Sequence, residues 1–390
     1  MKRIIFFAIA SLSLGLAAQT SNDSIINPKN QVNAAQRILS SNLNQKGLTV
    51  GGYAETHYNR ATGKNAKLDV HRVVMLFGYK FNERTQFITE LEFEHVKEVY
   101  VEQAFLQYTL TDNVNLRAGL MLVPMGIINE YHEPTTFNGV ERPSMDKAIV
   151  PTTWREIGLG VSGKFDEASL RYQAYMFNGF TSKNGSKLLG GSNGLRNGRQ
   201  KGAESTMNNV NFAGKLDYYG FPGLRLGLSG YFGRTQSDKA IEDIAGADVG
   251  VAMIGLDARY AYKRFTARGQ FITASISDSK EYNTYYNAST GSELGSKLQG
   301  WYVEGAYNLF SQEKEQQLFG FVRYEDFDTH ASVAQGINKN LSYDRNELTL
   351  GLTWKVAQGA AFKADYQFKN TAVAGSQTVK QLNLGFGIWF

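Results

Sequence analysis

The sequence predicts an all-β fold: a transmembrane antiparallel β-barrel of about 16 strands, with short turns at one end and long loops at the other. Three observations predict it. From Gly47 to Phe390, segments of about ten to fourteen residues alternate apolar and polar positions, the period of a strand and not of a helix. The connections between them alternate between short and long. Most charges within the segments fall on one of the two faces.

The 390 residues are 42% hydrophobic and 20% charged, with 40 glycines, six prolines and no cysteine. A mean hydropathy of −0.33 excludes a bundle of membrane helices. It leaves a membrane barrel open, because only alternate strand residues face lipid. Without cysteine there are no disulfides, thiolate metal sites or cysteine nucleophiles. The 41 Lys and Arg stand against 36 Asp and Glu, a balance that does not suit a nucleic-acid partner.

Residues 1–18 read as a signal peptide: Lys2 and Arg3, an apolar run from Ile4 to Leu16, then Ala17 and Ala18 before a cut at Gln19. Removing it leaves 39 bases against 36 acids. The expected destination is the outer membrane of a Gram-negative cell. Residues 19–46 are polar and read as a periplasmic N-terminal lead-in, with a short helical patch at Val32–Leu43. Residues 47–390 are the expected barrel.

Sixteen segments follow: 47–58, 68–81, 85–95, 99–110, 114–123, 154–165, 169–178, 207–219, 223–233, 249–262, 264–276, 298–309, 317–328, 343–354, 360–369 and 379–390. In the last, Leu382, Leu384, Phe386, Ile388 and Phe390 share one face, and Gln381, Asn383, Gly385, Gly387 and Trp389 the other. Short turns at 82–84, 111–113, 166–168, 220–222 and near Lys263 are expected in the periplasm. The long connections 124–153, 179–206, 234–248, 277–297 and 329–342 are expected outside, and 95–98 is a short exception among them. Aromatics near strand ends, among them Tyr58, Phe81, Tyr108, Phe165, Phe177, Tyr262, Trp354 and Trp389, suit two interfacial girdles. A secreted β-sandwich would also alternate. Phe390 closing an amphipathic strand resembles the terminal signal of outer-membrane barrels and favours the barrel.

A charge facing lipid costs about 2–4 kcal/mol at the midplane. Strand charges therefore mark the lumen, including Arg72, Glu90, Glu92, Glu102, Arg117, Glu156, Arg171, Lys215, Arg225, Arg259, Arg268, Glu304, Arg323, Lys363 and Asp365. Acids dominate the early strands, and bases are more frequent from Arg171 to Arg323. A charged, water-filled interior implies passive diffusion of small hydrophilic solutes and ions. Pairing across the interior is the other use of these charges; Arg259 with Asp257 and Lys363 with Asp365 lie two apart on one strand.

Four of the six prolines, Pro124, Pro134, Pro143 and Pro151, fall in the third external loop by the strand count, 124–153. Its Met125, Ile127, Ile128, Phe137, Met145 and Ile149 are too apolar for disorder. The expectation is a constriction loop folded into the barrel, offering Glu130, His132, Glu133, Glu141, Arg142, Asp146 and Lys147 at the eyelet. A lid packed outside the mouth is the alternative.

At this loop and its flanks the chain resembles the phosphate-selective porin O and P family. The matching stretches are VEQAFLQYTL (101–110), NLRAGLMLVPMG (115–126) and VERP (140–143). WREIGLGVSGKF (154–165) and GGYAETHYN (51–59) fit relatives in Bacteroidetes-type bacteria. The resemblance implies a sixteen-stranded outer-membrane porin, a homotrimer, with a loop-constricted channel for small anions. It also implies a ladder of arginines, for which Arg171, Arg225, Arg259, Arg268 and Arg323 are candidates. Acids alternate with them here, so a weakly selective general porin stands beside a phosphate-preferring one.

No enzyme, cofactor or metal is expected. His57, His71, His95, His132 and His330 show no ligand spacing, and His132 with Glu130 and Glu133 reads as loop surface. GLGVSG (158–163) lacks the ending of a phosphate loop and lies on a strand. A barrel scaffold within a larger outer-membrane assembly is the competing function.

Overall fold

The computed structural model describes residues 31–41 and 46–390. The expected signal peptide lies outside them. Sixteen strands form one closed antiparallel barrel. They are β1 (Gly47–Ala61), β2 (Lys67–Lys80), β3 (Thr85–Glu94), β4 (Glu98–Thr111), β5 (Val114–Leu122), β6 (Arg155–Phe165), β7 (Leu170–Phe177) and β8 (Asn211–Tyr218). The second half comprises β9 (Leu224–Arg234), β10 (Gly250–Tyr262), β11 (Phe265–Ile276), β12 (Lys297–Asn308), β13 (Gln317–Ser332), β14 (Asp344–Ala357), β15 (Ala360–Thr371) and β16 (Val379–Trp389). Each strand pairs with its neighbours in sequence, and β16 returns to β1 through pairs from Tyr53–Trp389 to Ala61–Gln381. Closure leaves no free sheet edge.

Two strand ends differ from expectation by four residues, the largest differences. β8 starts at Asn211, not 207, because Asn208 and Asn209 spend their side chains on the backbone of Ser237 and Thr235. β13 runs on to Ser332, where it pairs with Lys297 past an irregularity in β12. One end of the barrel carries short turns; in the first, the Asn82 side chain accepts from the N–H groups of Arg84 and Thr85, both at 2.9 Å. At the other end the connections 123–154, 178–210, 235–249 and 277–296 are long, whereas 62–66, 95–97 and 372–378 are short. The rim is therefore low beside β16 and β1 to β4.

The two faces separate as the alternation requires. On β9, Leu228 and Phe232 are 50% and 67% exposed, while Arg225, Ser229 and Tyr231 are buried. Phe81, Phe165, Tyr262 and Trp354 are exposed near the short-turn end, as a girdle demands. Phe177 and Trp389 are corrections: both have inward parity. Phe177 is buried, and Trp389 stacks on Tyr53 with ring centroids 5.8 Å apart.

The helical patch is α1 (Ala34–Ser41). It does not hang below the barrel but packs on the inner wall formed by β1, β2 and β3. Its Ala34, Ala35 and Ile38 are buried. Gly78 makes this possible: a Cβ there would stand 2.1 Å from Ile38 Cγ2. Arg37 lies over the Trp389 ring at 4.3 Å.

Candidate functional site

Residues 123–154 lie inside the barrel and touch its whole circumference. Asn129 ties the two feet of the loop together. Its Nδ2 donates to Val123 O at 2.7 Å and Trp154 O at 3.0 Å, and its Oδ1 accepts from Trp154 N at 2.7 Å. The first arm reaches β8 and β11: Lys215 donates to Gly126 O, and Ile127 N donates to Gln270 Oε1 at 2.6 Å. The tip reaches β12 to β15. Asn138 Nδ2 donates to Glu304 at 3.0 Å, Val140 N to Asp365 at 2.6 Å and Lys363 Nζ to Phe137 O at 3.0 Å. The return arm carries the one-turn α2 (Met145–Ala148), where Met145 N donates to Glu325 at 3.0 Å.

Each expected eyelet residue has a definite place. Glu130 pairs with Lys215 at 3.0 Å, and Glu133 accepts from Ala34 N at the start of α1. His132 is not loop surface and does not meet Glu130 or Glu133 through its ring. It is 1% exposed, 3.4 Å from Glu102 and 3.1 Å from the Tyr53 hydroxyl. Burial pulls the His132 imidazole down, and the Glu102 carboxylate more than offsets this, leaving its pKa raised. Glu141 accepts from Asn59 Nδ2 at 2.8 Å, and Arg142 lies 3.6 Å from Glu55. Asp146 is buried and accepts from Gln270 Nε2 at 2.7 Å; burial raises its carboxyl to about 7. Lys147 is exposed.

The strand arginines are mostly spent on carboxylates. Arg225 meets Asp217 at 2.7 Å, Arg259 meets Asp217 at 3.4 Å and Asp257 at 3.8 Å, and Arg268 meets Glu304 at 2.9 Å. Arg323 lies 3.0 Å from Glu325 and 3.4 Å from Glu304, and it donates to Glu141 O at 3.1 Å. Arg225 and Arg259 also reach Gln31, ahead of α1. Arg117 donates to Gln107 at 2.7 Å and Arg171 is half-buried. Of the two pairs expected along one strand, Arg259 with Asp257 forms. Lys363 and Asp365 instead each hold a loop backbone group.

A second set of cations went unread in the sequence. Connection 178–210 folds back over the feet of the loop and brings Arg196, Arg199 and Lys201 beside Arg155 and Lys147. Arg199 donates to the carbonyls of Pro151, Thr152 and Thr153 at 3.0, 3.0 and 3.1 Å. Arg196 donates to Thr152 O, and Arg155 to Thr153 Oγ1 at 3.2 Å. Among the described residues, none of these five cations lies within 4.0 Å of a carboxylate oxygen. Burial, then repulsion from neighbouring arginines (Arg142 in the case of Arg196), pushes Arg196 down to about 10, Arg199 to about 9 and Lys201 to about 8, and lowers Lys147. Arg196, Arg199 and Lys201 carry charge at neutral pH. The signal was in GLRNGRQKG (194–202), three bases without an acid.

Cavities open at both ends of this packed zone. One of about 820 Å³, lined by Gln36, Lys80, Gln86 and Gln107 among others, faces the short-turn end beside α1. Another of about 610 Å³ lies among the long loops, at Lys183, Gln236 and Tyr286.

Comparison with known proteins agrees with this architecture. An uncharacterized protein of Aquifex aeolicus is 32% identical over 339 residues, which are 83% of this chain and 76% of that one. The anion-selective porin from Comamonas acidovorans superposes with a TM-score of 0.58 at 11% identity, covering 89% of this chain and all of that one. OmpT of Vibrio cholerae, in its trimer form, gives 0.54 at 12% identity, over 89% and 100%. At these identities the two structures speak for the fold alone. Residues 47–383 match the phosphate-selective porin O and P family along nearly the whole barrel, and the chain belongs to that family.

Proposed function

We propose that this porin forms an outer-membrane channel for passive diffusion of small hydrophilic solutes and ions, that it prefers small anions such as phosphate, and that it works as a homotrimer. The observation that carries the anion preference is the carboxylate-free cluster of Lys147, Arg155, Arg196, Arg199 and Lys201. Neutralised bases contribute no field, and the strand arginines are largely neutralised; these five are not. Residues 124–153 act as the constriction in this reading, with Glu130, His132, Glu133, Glu141, Arg142 and Asp146 holding its shape and Lys147 facing the solute. Reversal potential across a planar bilayer in a KCl gradient tests the preference: an anion-selective value is expected, and a cation-selective one overturns it. Phosphate added to the chloride bath is expected to reduce chloride current. Shortening 124–153 is expected to raise single-channel conductance, and an unchanged value removes the loop from the constriction.

The density of the interior favours one second reading, a sealed barrel serving as scaffold in a larger assembly. Liposome swelling with small sugars separates the two, because a sealed barrel gives no swelling.

A further inference from the structure

Three of the five histidines, His57, His71 and His95, meet at the low side of the rim, although the sequence holds them up to 38 residues apart. Asp69 and His71 are alternate residues of β2, so their side chains leave the strand on the same side. The ladder between β1 and β2 slips at this point: Glu55 faces Arg72 and Thr56 faces Val70, which leaves His71 as the extra residue. His95 begins the tight turn 95–97, and its N–H donates to His71 O at 3.2 Å, fixing one histidine against the other. His95 and Val96 both have positive φ, 52° and 68°, a conformation costly for a β-branched residue.

We propose that Asp69, His71 and His95 form a binding site for a first-row transition-metal dication, with Zn²⁺ the natural probe. One ligand atom from each lies within 4.8 Å of the other two. Asp69 Oδ2 is 2.7 Å from His95 Nδ1 and 3.5 Å from His71 Nδ1. Two ligands of a tetrahedral zinc, each at about 2.0–2.1 Å from the metal, stand roughly 3.3 Å apart, between these two separations. Two imidazoles and one carboxylate suit zinc and its neighbours in the first row, not the hard dications that take oxygen alone. The three side chains are 30%, 28% and 42% exposed, so the ion reaches them from outside, and water fills the remaining positions. His57 supports the site without joining it. It stacks on His71 with centroids 4.4 Å apart, while its nitrogens lie 3.3 and 3.4 Å from Glu55 and Glu141. His57, held by the two carboxylates, thus backs the His71 ring and fixes its plane.

The test is zinc titration by calorimetry on the tag-free porin in detergent, with Co²⁺ absorption as the spectroscopic check. One site per chain is expected. Loss of a partner that merely orients a ligand costs about 10–100-fold in affinity, so His71→Ala, His95→Ala and Asp69→Asn are each expected to weaken zinc at least about tenfold. His330→Ala, at a buried histidine near the end of β13, is expected to leave it unchanged, and Mg²⁺ to give no heat. Heat-modifiable gel migration certifies the folded barrel. If His95→Ala disturbs the turn, His71→Gln keeps the backbone and answers the same question. A carboxylate that only bridges two imidazoles predicts no zinc isotherm in the wild type, or one indifferent to His71 and His95; either outcome overturns the site.

Discussion

The interior holds two populations of cations that differ in their company. Arg225, Arg259, Arg268 and Arg323 sit on the barrel wall against Asp217, Asp257, Glu304 and Glu325. Lys147, Arg155, Arg196, Arg199 and Lys201 lie where two long connections meet, and the arginines among them are held by carbonyls. The contrast teaches what each charge is for. A paired charge in a low-dielectric interior is position without field: it places a loop, and removing its partner is costly. A cation held by carbonyl dipoles keeps its net charge, and its field reaches a passing solute.

The largest expected effect comes from breaking the paired set. Arg323→Met leaves Glu304 and Glu325 buried without their shared partner and frees the carbonyls of Asn138 and Glu141. A cost of about 3–5 kcal/mol is expected for such an orphaned charge. Urea unfolding in detergent micelles reads it. Adding Glu325→Gln to the same chain is expected to recover part of the loss, because that charge goes with its partner while Glu304 keeps Arg268.

The helix that Arg225 and Arg259 reach through Gln31 offers a gentler break. Gly78→Val puts a branched side chain where Ile38 already stands, and overpacking of this kind costs about 1–3 kcal/mol. Because α1 is held on a wall that is complete without it, the helix is expected to yield and the barrel to stay. Single-channel conductance rises in that case, with the folded band unchanged on a gel. A variant of unchanged conductance would place α1 outside the conduction path.

Much of this arrangement was legible in the sequence, for one reason. Lipid on one side and charge on the other impose a period of two, and Leu382, Leu384 and Phe386 or Arg225 and Ser229 declare their faces without any knowledge of neighbours. Pairs two apart on one strand were half legible: Arg259 does meet Asp257, but Lys363 and Asp365 turn to the loop. Pairs across strands were not legible. Glu304 stands between Arg268 and Arg323 only because two hairpins settle in register, and register follows from turns whose geometry the alternation does not contain. The inward parity of Phe177 and Trp389 was readable and was outweighed by their position near strand ends. The carbonyl-held cations escaped because loops have no period; composition alone, in residues 194–202, marked them. The rim histidines escaped because a turn, not spacing, brings His95 to Asp69.

Acting on the carboxylate-free set is expected to alter selectivity and leave stability nearly alone. Lys147→Glu with Lys201→Glu places two acids beside Arg196 and Arg199 at positions that carry no ion pair. The reversal potential in a KCl gradient is expected to move toward cations. The shift should shrink as salt rises from about 0.1 M to 1 M, where the Debye length falls from about 10 Å to 3 Å. The same exchange at paired Arg225 is expected to disturb folding first, and if it moved selectivity equally, the division between the two populations would fail.

The smallest effect belongs to Asp146, which stands between the populations, on α2 of the loop. Its carboxyl is raised from 3.8 to about 7 by burial, opposed by the hydrogen bond from Gln270 and by Arg268 and Arg323. A carboxyl with a raised value favours the docked loop while it is protonated. Below about pH 4 it is protonated docked or free, and docking gains its full benefit there. As pH rises toward about 7 the free loop ionises and the docked one does not, so docking weakens; above 7 the penalty is complete. Asp146 is one anchor among many, and its ionisation loosens α2 rather than releasing the loop. Current noise from loop motion is therefore expected to grow modestly between about pH 4 and pH 7, and Asp146→Asn to flatten that dependence. A wild type and a variant with the same pH profile would assign the dependence to another group.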